Sequence, residues 1–208
     1  SFEVAPDLNK VGAFLPYTPL HFLLFEALDF PLVATSANRS GSPMLHEVSQ
    51  VIEQLNDVVD LILNHDRDIK NRVDDSVLQT IDTQTIILRQ ARGLSPYTIP
   101  LLQKVQDPIL AIGAHQKSSI AYAFKDKLVL SPYIGDLNTI KMNNAFEETI
   151  TCFSDFYDIQ ATQIVHDKHP HFFSTQWAQN QHVQTRSVQH HYAHVLALLA
   201  DHQLTETV

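Results

Sequence analysis

The sequence predicts an α/β fold that is divided into two domains. Its 208 residues are 44% hydrophobic, which suits one or two domains with buried cores. Short apolar segments that fit strands alternate with segments whose apolar residues recur at helical spacing, as is typical of sheets layered with helices. Between Arg92 and Pro108, three prolines and a glycine interrupt every periodicity. We therefore place the division between the domains there.

The first domain is predicted to cover residues 1–95. Thr18 is a favourable N-cap and Pro19 a favourable first helical residue, so we expect a helix from Thr18 to about Leu28. A second helix is expected at 46–55. The strands expected in this domain are 11–15, 31–35, 59–63, 76–80 and 85–88.

Residues 96–108 are predicted to be an irregular linker to the second domain, residues 109–208. The second domain opens with three short strands joined by tight turns, which indicates a meander. Helices and strands then alternate. The expected strands are 109–112, 119–124, 128–130, 162–165 and 183–186, and the expected helices are 144–157, 174–179 and one that begins near 190.

Charge and cysteine content argue against several classes of protein. The formal net charge of -9 disfavours a nucleic-acid surface, which needs clustered Lys and Arg. Cys152 is the one cysteine, so we expect no disulfide framework, a reducing cytoplasmic location and a core position for Cys152 itself. No apolar run approaches about 18 residues, and the first residues lack signal-peptide features, so we expect neither a membrane span nor a signal peptide.

Three histidines open the last expected helix, namely His190, His191 and His194. Residues four apart share a helix face, so His190 and His194 could hold one metal ion, as in other His-x-x-x-His sites. Asp201 lies on the same side, but seven residues of helix place it about 10 Å beyond His194, which excludes it as a ligand. The spacing alone does not decide between a metal pair and a solvated helix face.

Polar segments follow several expected strands, where open α/β sheets bind ligands. The hydroxyls and the amide of residues 35–41 suit a phosphate or a ribose, and the guanidinium groups of Arg89 and Arg92 suit a phosphate. Each segment also has a structural interpretation. Residues 35–41 could form a polar turn, and the arginines could form ion pairs with Asp74 or Asp75.

Two further segments of the second domain could carry chemistry. The turn at 113–119 contains Lys117 and hydroxyls that could hold a phosphate, although the residues alone favour an ordinary hairpin turn. The adjacent His166 and Asp167 could perform acid–base chemistry. The residues alone favour the alternative, in which Asp167 caps the next helix and the histidines lie on the surface.

Seven motifs, taken in order, resemble those of one enzyme family. Four resemble the later part of a YrdC-like domain: residues 15–21 (LPYTPLH), 35–41 (TSANRSG), 71–77 (NRVDDSV) and 88–96 (LRQARGLSP). Three resemble the start of a TsaD-like domain of ASKHA type: residues 134–137 (IGDL), 167–170 (DKHP) and 189–194 (QHHYAH). This order is similar to that of the HypF carbamoyltransferases, which mature [NiFe] hydrogenase.

The resemblance implies a fold and an activity. The fold would be a partial YrdC-like twisted open sheet with helices, followed by the first part of an ASKHA-type α/β domain. The activity would be ATP-dependent carbamoyl transfer, in which ATP and carbamate released from carbamoyl phosphate form carbamoyl-adenylate. The carbamoyl group would then pass to the C-terminal cysteine of the partner HypE, for synthesis of the cyanide ligands.

The resemblance also implies roles for particular residues. The adenylate would be contacted by Ser36, Asn38, Ser76 and Arg89. Lys117 would face the nucleotide phosphates of the second domain. His190 and His194 would bind a divalent metal, zinc or iron, with His191 as a neighbour and a further carboxylate ligand outside these residues. The chain resembles an interior part of such an enzyme, and we expect no turnover from it alone.

Two other functions fit the same motifs. One is a relative that makes the threonylcarbamoyl group of tRNA, since both domain types occur in that pathway. The other is a non-catalytic segment that binds a nucleotide or a partner protein. The order of the two domains and the acidic charge favour the hydrogenase-maturation interpretation, with no nucleic-acid or membrane partner.

Overall fold

The computed structural model of the protein describes residues 4–40, 42, 44–69, 73–202 and 204. The chain forms two compact units, of which the first comprises Ser1–Ser40 with Met44–Ile62 and the second comprises Gly41–Pro43 with Leu63–Val208. Almost all of the described hydrophobic core belongs to the second unit. The predicted division into domains at 95 and 109 stays a prediction.

The first unit contains two short helices, both predicted from the sequence. Helix α1 spans Pro19–Glu26, and the Thr18 hydroxyl accepts a hydrogen bond of 3.2 Å from the His21 N–H, as expected of an N-cap. Helix α2 spans Val48–Leu55 and buries Leu55. The prediction of these helices is confirmed, with α1 ending two residues before Leu28.

The strands expected at 11–15, 31–35 and 59–63 are absent from the structure, so that prediction is wrong. Their apolar side chains are largely exposed, for example Leu15, Val33 and Leu61. A strand needs a neighbour that supplies ladder hydrogen bonds, and no described residue of these segments pairs in a ladder. An apolar run therefore did not suffice to form a strand.

The second unit contains a hairpin whose two strands the sequence predicted at 76–80 and 85–88. Strands β1 (Val77–Ile81) and β2 (Gln84–Arg89) pair in the antiparallel direction. Asp82, in the connecting turn, has a φ of 53°, a left-handed conformation that Asp tolerates better than most residues.

A four-stranded mixed sheet forms the centre of the second unit. Its strands are β3 (Tyr97–Ala111), β4 (Ala121–Leu130), β5 (Gln163–Asp167) and β6 (Gln184–Val188), in the spatial order β4-β3-β5-β6. β3 and β4 are antiparallel, whereas β3, β5 and β6 run parallel to one another. The strands of this sheet were predicted at 109–112, 119–124, 162–165 and 183–186.

The predictions of a linker at 96–108 and of a three-stranded meander are wrong. Residues 97–108 belong to β3, where Tyr97 pairs with Leu130 and Pro100 with Lys127. Pro100 is tolerated because β5 pairs with β3 only from Ile109 onward, so the other edge of β3 at Pro100 needs no ladder donor. The expected turn near Lys125 is a register shift within β4, with φ at 54°.

Three helices complete the second unit, namely α3 (Ile140–Tyr157), α4 (Phe173–Gln179) and α5 (His190–Asp201). α3 starts four residues earlier than predicted, because Thr139 caps it by accepting the Met142 N–H at 3.3 Å. Cys152 is exposed, so its predicted core position is wrong. The buried face of α3 carries Phe146, Ile150 and Phe153, and Cys152 lies off that stripe.

The parallel strands end at one edge of the sheet. Ala111 is opposite Val165, and Asp167 is opposite Val188. The segments that follow β3, β5 and β6 therefore leave the sheet from the same edge. Within the described part of the chain, no helix is long and apolar enough to span a membrane.

Candidate functional site

The common edge of the parallel strands brings together two of the predicted motifs. Residues 167–170 end β5 and follow it, and α5 begins two residues after β6 ends at Val188. The Lys168 N–H donates to the carbonyl of Val188 at 3.1 Å, which joins the two segments. The first residues of α5 are therefore held against the end of β5.

His190 and His194 face each other across one turn of α5. Their Nε2 atoms are 3.2 Å apart and their ring planes are inclined by 75°. Two nitrogen ligands of one tetrahedral zinc ion, each about 2.0–2.1 Å from it, are about 3.3 Å apart. The pair thus has the separation of two ligands of one ion, a separation that also suits a direct hydrogen bond between the rings.

His191 points its ring elsewhere. Its Nδ1 atom lies 2.9 Å from Nε2 of Gln189, and its ring is perpendicular to that of His190. Gln189 also caps α5, because its side-chain oxygen accepts the Tyr192 N–H at 2.8 Å. This geometry agrees with the expectation that His191 is a neighbour of the metal pair.

Asp167 lies directly behind His190 and was not predicted as part of this site. Its side chain is 7% exposed, and its Oδ2 atom is 2.7 Å from Nδ1 of His190. Its Oδ1 atom accepts the main-chain N–H of His169 at 2.8 Å. The register of the parallel strands β5 and β6 creates this contact, so the linear spacing of the motifs did not reveal it.

The structural interpretation of His166 and Asp167 fails in two respects. The N-cap of α4 is Phe172, with no side-chain hydrogen bond, so Asp167 does not cap that helix. His166 is 6% exposed, so it is not a surface residue. Its Nδ1 atom lies 2.6 Å from the carbonyl oxygen of Asp167, within the end of β5.

The described residues contain no group of three or more His, Cys, Asp or Glu side chains that could hold a metal ion. The two imidazoles nevertheless fit a metal such as zinc or iron, because both elements accept neutral imidazole nitrogen. The fit rests on the 3.2 Å separation of the Nε2 atoms and on the contact of His190 with a carboxylate, which is common among metal-binding histidines.

Lys117 lies in the loop between β3 and β4 and adopts a left-handed conformation with φ at 49°. Its main-chain N–H donates to Oδ1 of Asp136 at 2.7 Å, and the N–H of Ser118 donates to the carbonyl of Gly135 at 2.8 Å. These two amides are therefore already bonded within the protein. The Lys117 side chain itself is exposed, so a phosphate could reach its ammonium group.

Ser76 and Arg89 lie close together at the base of the hairpin, in the second unit. The Ser76 hydroxyl donates to the carbonyl of Arg92 and accepts the N–H of Ala91, each at 2.9 Å. Nε of Arg89 donates to the carbonyl of Asp75 at 2.9 Å. Ser76 thus fastens the two strands together, a structural role that the resemblance did not imply.

The ion pairs considered as an alternative for the arginines are present. Arg89 lies 3.5 Å from Asp74, and Arg92 lies 3.3 Å from Asp75. All four side chains are about one-third to one-half exposed, so each pair contributes little to stability. An arginine carries five N–H groups, so the contacts of Arg89 with Asp74 and Asp75 leave further guanidinium N–H groups of Arg89 that could contact a phosphate.

Tyr133 lies between Arg89, at the base of the hairpin, and the loop between β3 and β4 that contains Lys117. Its ring centroid lies 5.6 Å from the guanidinium carbon of Arg89, and its N–H donates to the carbonyl of Gln90 at 3.0 Å. Burial raises the pKa of the Tyr133 phenol above its usual 10.0, the negative charge of Asp136 raises it further, and Arg89 opposes the shift. The pKa of the Tyr133 phenol thus depends on the charges of both Asp136 and Arg89.

Ser36 and Asn38 belong to the first unit. The Asn38 N–H donates to the carbonyl of Ser36 at 2.9 Å, and the Asn38 side-chain amide donates to the carbonyl of Arg39 at 3.1 Å. Ser36 is exposed and Asn38 is partly buried. These local bonds join residues 36–39, in keeping with the polar-turn interpretation, and Gly41 lies outside the described residues. A ligand-binding role for the two side chains stays a prediction.

Two family models match the chain. The model described as the HypF Kae1-like domain matches residues 104–201. The model for the Sua5, YciO and YrdC group, described as telomere recombination, matches residues 1–91. Together they assign a YrdC-like region and a Kae1-like region in the order that the motifs predicted.

Curated relatives match over nearly the whole chain. The carbamoyltransferase HypF of Synechocystis is 41% identical over 204 residues, which are 98% of this chain and 27% of that protein. The HypF of Rhizobium leguminosarum bv. viciae is 35% identical over 99% of this chain and 28% of its own length. The chain thus spans about a quarter of these proteins.

Two solved structures that this chain resembles are also HypF proteins. The crystal structure of full-length HypF in its phosphate- and nucleotide-bound form matches with a TM-score of 0.92 and 37% identity, covering 98% of this chain and 32% of that one. The crystal structure of T. kodakarensis HypF matches with a TM-score of 0.87 and 33% identity, covering 98% of this chain and 27% of that one. The predicted α/β fold class is confirmed, and the chain belongs to the HypF family.

Proposed function

We propose that this chain is the part of an ATP-dependent carbamoyltransferase of [NiFe]-hydrogenase maturation that joins its two catalytic regions. The observation that carries the proposal is a single match to HypF proteins that runs through the YrdC-like and the Kae1-like regions. The activity of the whole protein needs residues beyond this segment, so we do not expect turnover from the segment alone.

The YrdC-like region is proposed to activate carbamate. An oxygen of carbamate, released from carbamoyl phosphate, attacks the α-phosphorus of ATP, pyrophosphate leaves, and carbamoyl-adenylate forms. Ser36 and Asn38 offer hydroxyl and amide groups to the adenylate. In the second unit, the guanidinium group of Arg89, with Ser76 beside it, would counter phosphate charge of the nucleotide. A HypF crystallised with phosphate and nucleotide bound supports a nucleotide substrate.

The Kae1-like region is proposed to transfer the carbamoyl group to a C-terminal cysteine of HypE. The cysteine sulfur loses its proton and attacks the carbamoyl carbon of carbamoyl-adenylate, the bond from that carbon to the phosphate oxygen breaks, and AMP leaves. The exposed ammonium group of Lys117 would contact nucleotide phosphates at the loop between β3 and β4. His190 and His194 would hold a zinc or iron ion through their Nε2 atoms. Such an ion, when bound, supplies a Lewis acid that polarises an oxygen of the substrate.

The alternative of a tRNA-modifying relative has less support. Carriers of tRNA substrates need clustered basic residues, whereas this chain has a formal net charge of -9. We accordingly propose HypE as the macromolecular partner, with neither nucleic acid nor membrane. The proposed location is the cytoplasm, in keeping with a single cysteine.

The proposal is tested on the whole protein that contains this chain. We expect ATP–pyrophosphate exchange that depends on carbamoyl phosphate, and a carbamoylated thiol on HypE that mass spectrometry detects after incubation with both substrates. Exchange that depends on threonine and bicarbonate in place of carbamoyl phosphate would support the tRNA-modifying alternative. Absence of nucleotide binding in titration calorimetry with a non-hydrolysable ATP analogue would contradict both enzymatic functions.

A further inference from the structure

We infer that Asp167 is a positioning residue of the metal site, which fixes the ring of His190 and the tautomer that leaves its Nε2 atom free to bind metal. The inference rests on the proposed metal-binding role of His190 and His194. It assigns a role to a residue that neither the spacing of the histidines nor the motif resemblance had connected with the metal.

The carboxylate of Asp167 is itself held in place. It is almost fully buried, with the side chain 7% exposed. One oxygen accepts the His169 N–H at 2.8 Å, and the Asp167 carbonyl accepts the Thr175 hydroxyl at 3.0 Å. Because the His169 N–H holds Oδ1, the second carboxylate oxygen is presented in a defined direction towards α5, where it meets Nδ1 of His190 at 2.7 Å.

The contact determines which nitrogen of His190 carries the hydrogen. An ionised carboxylate can only accept hydrogen bonds, so Nδ1 of His190 must donate to Asp167. In the neutral ring, Nε2 then keeps its lone pair, and this atom lies 3.2 Å from Nε2 of His194. Metal binding requires that lone pair, so the contact with Asp167 prepares His190 as a ligand.

His194 has no equivalent support among the described contacts. Its recorded hydrogen bond and ring contact are both with His190. Anchoring one ring of the pair by a buried carboxylate therefore also defines where the second ring must point to share an ion. Loss of the anchor should weaken metal binding without removing either ligand.

The substitution Asp167→Asn tests the inference, because it separates the bond of the side chain to the His169 N–H from its bond to Nδ1 of His190. The Asn side-chain oxygen can still accept the His169 N–H and so preserve the turn. Its NH₂ group then faces His190 and donates to Nδ1, which moves the ring hydrogen to Nε2, the atom needed by the metal. A matched control is Thr175→Val, which removes a neighbouring buried hydrogen bond but leaves the carboxylate intact.

The measurements use the whole protein, freed of metal with a chelator and titrated with Zn²⁺ and with Co²⁺. For Asp167→Asn we expect metal affinity to fall by about 10–100-fold, whereas Thr175→Val stays within about twofold of the wild type. At saturation the Co²⁺ absorption bands of Asp167→Asn should keep the wild-type position and intensity. Nitrogen-15 NMR of the metal-free proteins should show the hydrogen on Nδ1 of His190 in the wild type and on Nε2 in the variant.

The possible outcomes are distinct. Wild-type metal affinity in Asp167→Asn, together with loss of metal in the double variant His190→Ala/His194→Ala, would overturn the role of Asp167 alone. Altered Co²⁺ bands at saturation would also overturn it, because they would make Asp167 a direct ligand. Full metal occupancy in the double variant would instead refute the metal site of the proposed function.

Discussion

The carboxylate of Asp136 accepts the main-chain N–H of Lys117 at 2.7 Å, and Lys117 has a φ of 49°. A left-handed conformation is unfavourable for a lysine, so the loop depends on contacts of this kind. The Lys117 side chain is exposed to solvent, and its main-chain N–H is occupied by the Asp136 carboxylate and so is not available to a phosphate.

Asp136→Ala should therefore weaken both the loop and nucleotide binding. Hydrogen bonds to charged groups contribute about 1.5–3 kcal/mol, and partial exposure places this one at the lower end. We expect a loss of about 1–2 kcal/mol in urea unfolding, together with a higher KM for ATP. Lys117→Gly is the matched variant, because it relieves the unfavourable φ and removes the ammonium group. Weaker nucleotide binding without loss of stability in that variant would assign the binding effect to the ammonium group.

Asn38→Ala should weaken ATP–pyrophosphate exchange in the whole protein. A polar ligand group left without its partner costs about 1–3 kcal/mol in a pocket. Gln50→Ala, on α2 of the same unit, removes the hydrogen bond of 3.0 Å between Gln50 and Glu47 and should leave exchange unchanged. Equal exchange rates in Asn38→Ala and the wild type would mean that residues 35–41 form only a turn.

Phe146 and Phe156 offer a comparison within one helix. Phe146 is 0% exposed and packs edge-on against Phe173 and Trp177, with ring centroids 5.8 and 5.5 Å away. Phe146→Ala should cost about 3–5 kcal/mol, because it removes a buried ring and leaves a cavity. Phe156 is 77% exposed, so Phe156→Ala should cost less than about 1 kcal/mol. Urea unfolding of both variants measures the difference, and equal losses would contradict the described core.

Titration of Tyr133 should respond in opposite directions to two charge changes. Burial and Asp136 raise the pKa of its phenol above 10.0, while Arg89 lowers it. Asp136→Asn should therefore lower that pKa and Arg89→Gln should raise it, as measured by NMR of the tyrosine ring. Because the folded-state pKa is raised, the associated stability is present below pH 10 and is lost as the pH rises through the folded-state value. Shifts of the same sign in both variants would show that Tyr133 does not lie between these charges.

The elements that could be predicted from the sequence are those that are determined by residues within the element itself. Thr18 and Pro19 mark the start of α1, and the apolar spacing of α3 and α5 marks those helices. The expected strands of the first unit depended on partners elsewhere, and apolar composition could not supply them. The long strand β3 was missed because Pro100 suggested a break, although a proline is tolerated where one edge of a strand is unpaired.

The same distinction holds at the candidate site. Helical periodicity predicted that His190 and His194 lie close together, because a separation of four residues places both rings on one face, although the spacing alone did not decide between a metal pair and a solvated face. The contact between His190 and Asp167 could not be predicted in this way, since 23 residues separate them and only the parallel pairing of β5 and β6 brings them together. The hydrogen bond from the Lys117 N–H to Asp136 likewise depends on the tertiary structure, so the sequence could not predict it.

The length of β3 has a practical consequence for dividing the protein. The Kae1-like model begins at residue 104, but residues 97–100 of the same strand pair with residues 127–130 of β4. A truncated protein that starts at 104 would leave that end of β4 without its neighbour, and an unpaired strand edge invites aggregation. Expression of the Kae1-like region by itself should therefore begin before Tyr97.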